Sequence, residues 1–261
     1  MRARPKKSLG QNFLVDPHTQ RKIFNACGFK DSDSVVEIGP GKGAMTKLLA
    51  PAVRHVYAID LDAGLVEMLQ REYGQAGNVT IIHHDILTFD LSPVIAAAKK
   101  KIVVFGNIPY YITTPIIEYL FEYRRHIDTV FLTIQKEVAD RICAEPGSKI
   151  YGSLSCFVQY YAHASKLVRI PRGCFYPIPK VDSCCIRLQM LPEPSVRVKD
   201  EVAFFDLIHA AFQQRRKTLR NSLKEIIPED KLDAFFRSRG IFPLIRPEKL
   251  SLENFAALAN L

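Results

Sequence analysis

No stretch of the 261 residues is apolar for long enough to cross a bilayer. The amino-terminal run Met1-Arg2-Ala3-Arg4-Pro5-Lys6-Lys7 also lacks the apolar core of a secretory signal. A soluble, cytoplasmic protein is the expectation. The six cysteines (Cys27, Cys143, Cys156, Cys174, Cys184 and Cys185) contain no Cys-x-x-Cys pair and keep no histidine at ligand spacing. That pattern argues against a zinc site or a disulfide framework, fits a reducing compartment and gives no metal to expect. Cys184 and Cys185 are adjacent, so on a strand they point to opposite faces and neither need be reactive. Internal repeats and low-complexity segments are missing as well. Positive charge is what the chain has in excess, with 36 Lys and Arg against 27 Asp and Glu and a net charge of +9. Such an excess favours polyanionic partners, nucleic acid first and anionic membrane second.

Apolar runs and turn signals alternate through the first two thirds of the chain. Asp16-Pro17 is a helix cap followed by a proline suited to the first turn, which predicts a helix over roughly 17–28 ending at Gly28. Val35-Val36-Glu37-Ile38 is a short strand that runs into Gly39-Pro40-Gly41-Lys42-Gly43. Glycines there let a backbone approach a ligand where a Cβ would collide. A second strand, Val56 to Asp60, ends in an acid 21 positions after Gly39, where nucleoside-binding sheets place the carboxylate that takes ribose hydroxyls. A third strand over 79–82 leads to His83-His84-Asp85, whose histidines read as loop residues rather than ligands or bases. A fourth, Val103-Val104-Phe105, stops at Gly106 and delivers Asn107-Ile108-Pro109-Tyr110. Pro109 stiffens that loop, Asn107 offers an oxygen that accepts two hydrogen bonds, and Tyr110 offers a flat face. These residues suit either an ordinary βα turn or a clamp for a planar amine-bearing ring such as adenine.

Further strands are expected near 129–134, 166–170 and 181–188, with helices between them. The last two strands are joined by the proline-stiffened loop that carries Phe175 and Tyr176, so the closing strand should run antiparallel. The whole is an α/β domain over 1–191, with a mostly parallel sheet covered on both faces. After Pro192 and Pro194 strand signals stop, and residues 195–261 read as a small all-α domain. Its first helix is expected over 201–224, burying Phe205, Ile208, Phe212, Leu219 and Leu223. Arg215, Arg216, Lys217 and Arg220 stand on that stretch as four cations within six positions. They fit phosphate contact or, more plainly, a solvated face.

Several motifs together carry a family resemblance. They are Leu9-Gly10-Gln11-Asn12-Phe13-Leu14, Val36-Glu37-Ile38-Gly39-Pro40-Gly41, Asn107-Ile108-Pro109-Tyr110, Gln135-Lys136-Glu137-Val138, Phe175-Tyr176-Pro177-Ile178-Pro179-Lys180-Val181-Asp182-Ser183 and Gln214-Arg215-Arg216-Lys217-Thr218-Leu219-Arg220-Asn221-Ser222-Leu223. With them the chain resembles the KsgA family of small-subunit ribosomal RNA adenine dimethyltransferases, over essentially its whole length. The resemblance implies a Rossmann-like methyltransferase sheet and S-adenosyl-L-methionine as methyl donor. It implies cofactor contacts at Asn12, Leu14, Gly39, Asp60, Asp85 and Asn107, with Asp85 on the cofactor's adenine amine. It further implies that Asn107, Pro109, Tyr110 and Phe175 act on the target adenine, Phe175 as a second stacking wall. Many relatives carry Glu where this chain has Asp60, and some carry Asn at Tyr111. The implied substrate is small-subunit (16S) rRNA within a pre-assembled small ribosomal subunit, the helical domain gripping RNA through Arg215, Arg216, Lys217 and Arg220 of a monomeric, membrane-free enzyme of ribosome biogenesis. Competing readings are a large-subunit methyltransferase of the macrolide-resistance type, a non-catalytic assembly or transcription factor, an NAD enzyme on the glycine pattern, and a DNA adenine methyltransferase.

Overall fold

A computed structural model describes residues 5–6, 9–214 and 217–261. The chain divides into two compact units: residues 1–139 with 164–190, and residues 140–163 with 191–261. A single cut near 191 was the sequence expectation. The packing differs because the helix Ser153–Tyr161 (α7) sets its aromatic face against the later helices. Tyr160 and Tyr161 both reach the Glu201 carboxylate and pack against Phe204 and Phe205.

In the first unit, β1 (Phe13–Leu14), α1 (Pro17–Cys27), β2 (Ser34–Ile38), α2 (Thr46–Leu49), β3 (His55–Asp60), α3 (Ala63–Tyr73), β4 (Val79–His83), α4 (Ser92–Ala98), β5 (Ile102–Asn107), α5 (Thr113–Glu122) and β6 (Ile127–Gln135) follow in order, and α6 (Lys136–Ile142) comes after them. β7 (Ala162–Ile170), β8 (Phe175–Tyr176) and β9 (Ser183–Met190) complete the strands. The helix α1 begins as expected: the Asp16 side chain accepts from the Thr19 N–H, Pro17 stands in the first turn, and Gly28 closes the helix at φ 65°.

Seven strands form the main sheet in the order β4-β3-β2-β5-β6-β9-β7. The pairs β2–β3, β3–β4, β2–β5 and β5–β6 are parallel, while β9 runs antiparallel to β6. All five residues of β2 are buried, as are the first five of β5. Both faces of these strands are therefore covered, and they read as unbroken apolar runs rather than alternations. Cys184 and Cys185 are buried together in β9 for the same reason.

The chain visits β2, β3 and β4 in one direction and then returns to the other side of β2 with β5. That reversal opens a crevice at the carboxyl ends of β2 and β5, the place where open α/β sheets take ligands. Gly39 stands just past the end of one strand and Asn107 ends the other. A Cβ on Gly39, whose φ is +64°, would come within 3.7 Å of the Asn107 carbonyl oxygen. Gly106 serves the same close approach, since a Cβ there would meet Ile108 at 2.9 Å.

The second unit holds α7 with α8 (Glu201–Gln213), α9 (Leu219–Leu223), α10 (Glu229–Arg239) and α11 (Leu252–Ala259). The expected continuous helix over 201–224 is two helices. Gln214 leaves helical geometry at φ −121° and ψ 74°, and Thr218 then caps α9 with its side chain accepting from the Asn221 N–H. Threonine does this because its hydroxyl competes with the backbone inside a helix and satisfies it at a start. The buried face of α8 is Phe204, Leu207, Ile208 and Ala211, with Phe205 and Phe212 only half-buried.

Candidate active site

A cavity at the β2/β5 crevice is lined by the entry segment Leu9 to Phe13, by Gly39 and Gly41, by Asp60, His84 and Asp85, and by Asn107 to Ile112. It encloses about 830 Å3 of unfilled space, part of it continuous with solvent, which suits a cofactor-sized ligand. Most of its walls are apolar, and the polar groups fall into three clusters.

Asp60 is the first. It is buried, its Oδ2 accepts from the Gly41 N–H at 3.2 Å and its Oδ1 from the Asp62 N–H at 2.9 Å. Burial pushes its carboxyl above the usual range, against the pull of those two N–H groups. A carboxylate oxygen accepts more than one hydrogen bond, so both can still receive hydroxyls from the cavity. Asp85, the second, caps a single turn by accepting from the Leu87 N–H at 3.0 Å through Oδ1. His84 also lines the cavity with its ring against Phe89. His83, expected in a loop, is the last residue of β4, opposite Asp60; its exposed ring reaches the Leu61 carbonyl.

Asn107 is the third. Its Nδ2 donates to the Asn12 carbonyl at 3.1 Å across 95 residues of chain. That bond fixes the amide and turns its oxygen over to whatever enters. Pro109 follows at φ −59° and ψ 134°, and its carbonyl accepts from the Ile112 N–H at 3.2 Å. The Tyr110 hydroxyl pairs with Ser183 Oγ at 2.6 Å, which fixes the ring, and burial raises the phenol's pKa.

Two expected site residues are not in the cavity wall. Leu14 is buried in β1, paired with Phe175 of β8. Phe175 is only 2% exposed and belongs to the core with Ile23, Phe105 and Cys185. The structure therefore places Phe175 in packing rather than as a second wall. Strand alternation sends the neighbouring Tyr176 the other way. It lies opposite Phe13, which lines the cavity, and is 58% exposed.

Several further residues, none of them expected in the site from sequence, contribute to it. Phe13 packs under Gly41 and carries the Lys42 ammonium 5.1 Å from its ring centre. Tyr111 lies against Gly10 and lines the mouth. Glu37 sits fully buried beneath the glycine turn, accepting from Thr46 Oγ1 at 2.7 Å, and burial pushes its pKa up to about 7. An acid inside an otherwise apolar strand was the available signal for it.

Of the cations expected on RNA, Arg215 and Arg216 lie outside the described residues. Lys217 is exposed between α8 and α9. Arg220 is occupied within the helical unit: Nη1 donates to Glu229 at 2.7 Å, Nη2 to Asp233, and the guanidinium lies over Phe236. Among the described residues no group of three His, Cys, Asp or Glu could hold a metal ion, and no helix is long and apolar enough to cross a membrane.

The residues present fit a bound nucleoside with an attached cation. The glycine turn forms a cradle that side chains would fill: a Cβ on Gly41 would strike Phe13 at 2.9 Å. Asp60 and Asp85 supply acceptors at the strand ends beside it.

The sequence profile of the ribosomal RNA adenine dimethylases matches residues 2–261. A ribosomal RNA small subunit methyltransferase A from Clostridium perfringens is 43% identical over 255 residues, covering 97% of this chain and 89% of the relative. The crystal structure of a dimethyladenosine transferase from Plasmodium falciparum superposes with a TM-score of 0.76 at 25% identity, covering 93% of this chain and 94% of that one. The 23S rRNA methyltransferase ErmE shares the fold, with a TM-score of 0.75 at 24% identity over 96% of this chain and 100% of its own. The seven-stranded sheet is thus a Rossmann-like methyltransferase sheet, and the chain belongs to the ribosomal RNA adenine dimethylase family of S-adenosylmethionine-dependent enzymes.

Proposed function

We propose that the protein dimethylates the N6 amine of two adjacent adenines near the 3′ end of small-subunit rRNA, within a pre-assembled subunit, as a cytoplasmic monomer. The observation that supports this most is the tether between Asn107 Nδ2 and the Asn12 carbonyl. It leaves the Asn107 oxygen as a fixed acceptor beside the glycine turn. S-adenosylmethionine supplies an electrophilic methyl group on a sulfonium, so the protein's task is to bind, orient and polarise.

Asp60 takes the ribose hydroxyls, Asp85 the cofactor's adenine amine, and Gly39 gives the backbone room to approach. At the acceptor, the N6 lone pair is delocalised into the adenine ring and becomes a better nucleophile as that nitrogen turns tetrahedral. The Asn107 oxygen and a backbone carbonyl accept its two hydrogens. That carbonyl is the one of Ile108 or of Pro109, the latter also accepting from the Ile112 N–H at 3.2 Å. Positive charge grows on the attacking nitrogen, so these fixed acceptors bind the transition state more tightly than the ground state. The methylated nitrogen is acidic and releases its proton late, which removes the need for a strong base. Stacking on Tyr110 offsets part of the cost of extruding the base, on the order of 1–3 kcal/mol.

In the helical unit, Lys217 and the neighbouring Arg215 and Arg216 make the phosphate contacts, whereas Arg220 holds α9 to α10. The test is labelled-methyl transfer to small subunits, large subunits and duplex DNA in parallel, followed by nucleoside analysis. Dimethyladenosine in the small subunit alone is expected. Dimethyladenosine in the large subunit or in DNA overturns the assignment of substrate.

A further inference from the structure

The basic amino-terminal run looks like a tail for RNA phosphates, yet one of its cations is already committed. Lys6 Nζ lies 2.8 Å from Asp62 Oδ1, and Gln11 Nε2 donates to Asp62 Oδ2 at 3.1 Å. The two partners are themselves joined, since the Lys6 N–H donates to Gln11 Oε1 at 2.8 Å. Asp62 is a side chain only 5% exposed, against 54% for Lys6. Burial works to raise its pKa, but the hydrogen bonds from Lys6, Gln11 and the Gly64 N–H outweigh it and hold the carboxyl below the usual range. The Asp62 N–H in turn holds Asp60 Oδ1 at 2.9 Å.

The segment fastened at Asp62 forms one wall of the cavity, from Leu9 to Phe13. Its far end is fastened by the β1–β8 pairing. Between the two fastenings, the Asn12 carbonyl receives Asn107 Nδ2. Neither Lys6 nor Asp62 lines the cavity, so any effect they have on the reaction must travel through this segment or through Asp60.

We infer that Lys6 and Asp62 are positioning residues: their ion pair holds the entry segment across the bound methyl donor and, through Asn12, aims the Asn107 amide at the target amine. This rests on the reading of the cavity as the methyl-donor site. A part-buried carboxylate that loses its cation is poorly solvated, and an entry segment held less firmly should release the bound product faster. Exposure of Lys6 screens the effect and makes it salt-dependent.

The test measures release of S-adenosylhomocysteine by stopped flow from the full chain at low salt. It uses the wild type, Lys6→Met, Lys6→Arg, Asp62→Asn and the Lys6→Met/Asp62→Asn pair. Asparagine keeps the helix cap to Gly64, and Lys6 is exposed, so folding is preserved. Lys6→Met is expected to release the product about tenfold faster and to lower kcat, while Lys6→Arg restores both. Lys6→Met should add nothing on the Asp62→Asn background, and high salt should remove the difference from wild type. Equal release from Lys6→Met and wild type overturns the inference, as does an undiminished Lys6→Met effect on the Asp62→Asn background. Failure of the wild type itself to bind the product would instead sink the reading of the cavity, so the two failures are distinguishable.

Discussion

Asn107 has two jobs that a single carboxamide can combine. Its nitrogen is spent on the Asn12 carbonyl, and its oxygen is thereby aimed. On the proposed mechanism Asn107→Ala removes an acceptor for the target amine and should lower turnover about 100-fold or more, by analogy with loss of one oxyanion donor. Steady-state methylation of small subunits measures it, and near-normal turnover would remove Asn107 from the chemistry. Tyr110 is held through Ser183, so Tyr110→Phe should keep most activity by keeping the ring. Tyr110→Ala should lose stacking worth about 1–3 kcal/mol, roughly 5- to 150-fold in kcat/KM. Equal losses in the two variants would show that the hydroxyl, not the face, matters. At this scale the polar lining of the cavity was legible, because carboxamide, carboxylate and glycine recur together at the carboxyl ends of the strands. Leu14 and Phe175 were not, since an apolar residue on a short strand faces core or cavity according to a register that sequence does not display.

Glu37 and the glycine turn above it form a unit in which one buried acid bonds to Thr46 under Gly39 and Gly41. Its carboxyl titrates near 4.5 when unfolded and near 7 when folded. Between those values the native state keeps a proton that the unfolded chain has released. The contribution of this group to stability is therefore greatest below the unfolded value and is lost as pH rises through the folded one. Glu37→Gln keeps an acceptor for Thr46 without the charge. Cofactor-free wild type and variant should melt alike near about pH 5, and the variant should melt higher near about pH 8. A difference that does not change with pH would refute the titration of Glu37. The break between α8 and α9 teaches a different lesson. Phe212 and Leu219 stand seven positions apart, so helical spacing bridged the polar run 213–218, and the capping hydroxyl of Thr218 marked the new start. With the helix broken, Arg220 faces Glu229 and Asp233. Arg220→Ala should lower the melting temperature and leave the salt dependence of RNA binding unchanged. Lys217→Ala should leave the melting temperature unchanged and reduce the salt slope by about one. The reverse pattern would return Arg220 to the RNA.

For the whole molecule, a net charge of +9 favours a polyanionic partner, and the sheet reversal between β2 and β5 opens the crevice proposed as the active site. The alternation of strands and helices announced the parallel sheet in advance. The membership of 140–163 in the helical unit did not announce itself, because it depends on Tyr160 and Tyr161 finding Glu201, Phe204 and Phe205 some 40 residues later. The central claim is that the Asn107 clamp transfers two methyl groups to adenine in small-subunit RNA. Mass-spectrometric nucleoside analysis of unmethylated small subunits, after incubation with S-adenosylmethionine and either wild type or Asn107→Ala, tests it most directly. The account predicts N6,N6-dimethyladenosine with the wild type and little or none with the variant in the same time. Dimethyladenosine formed equally by both proteins, or by neither, would contradict it.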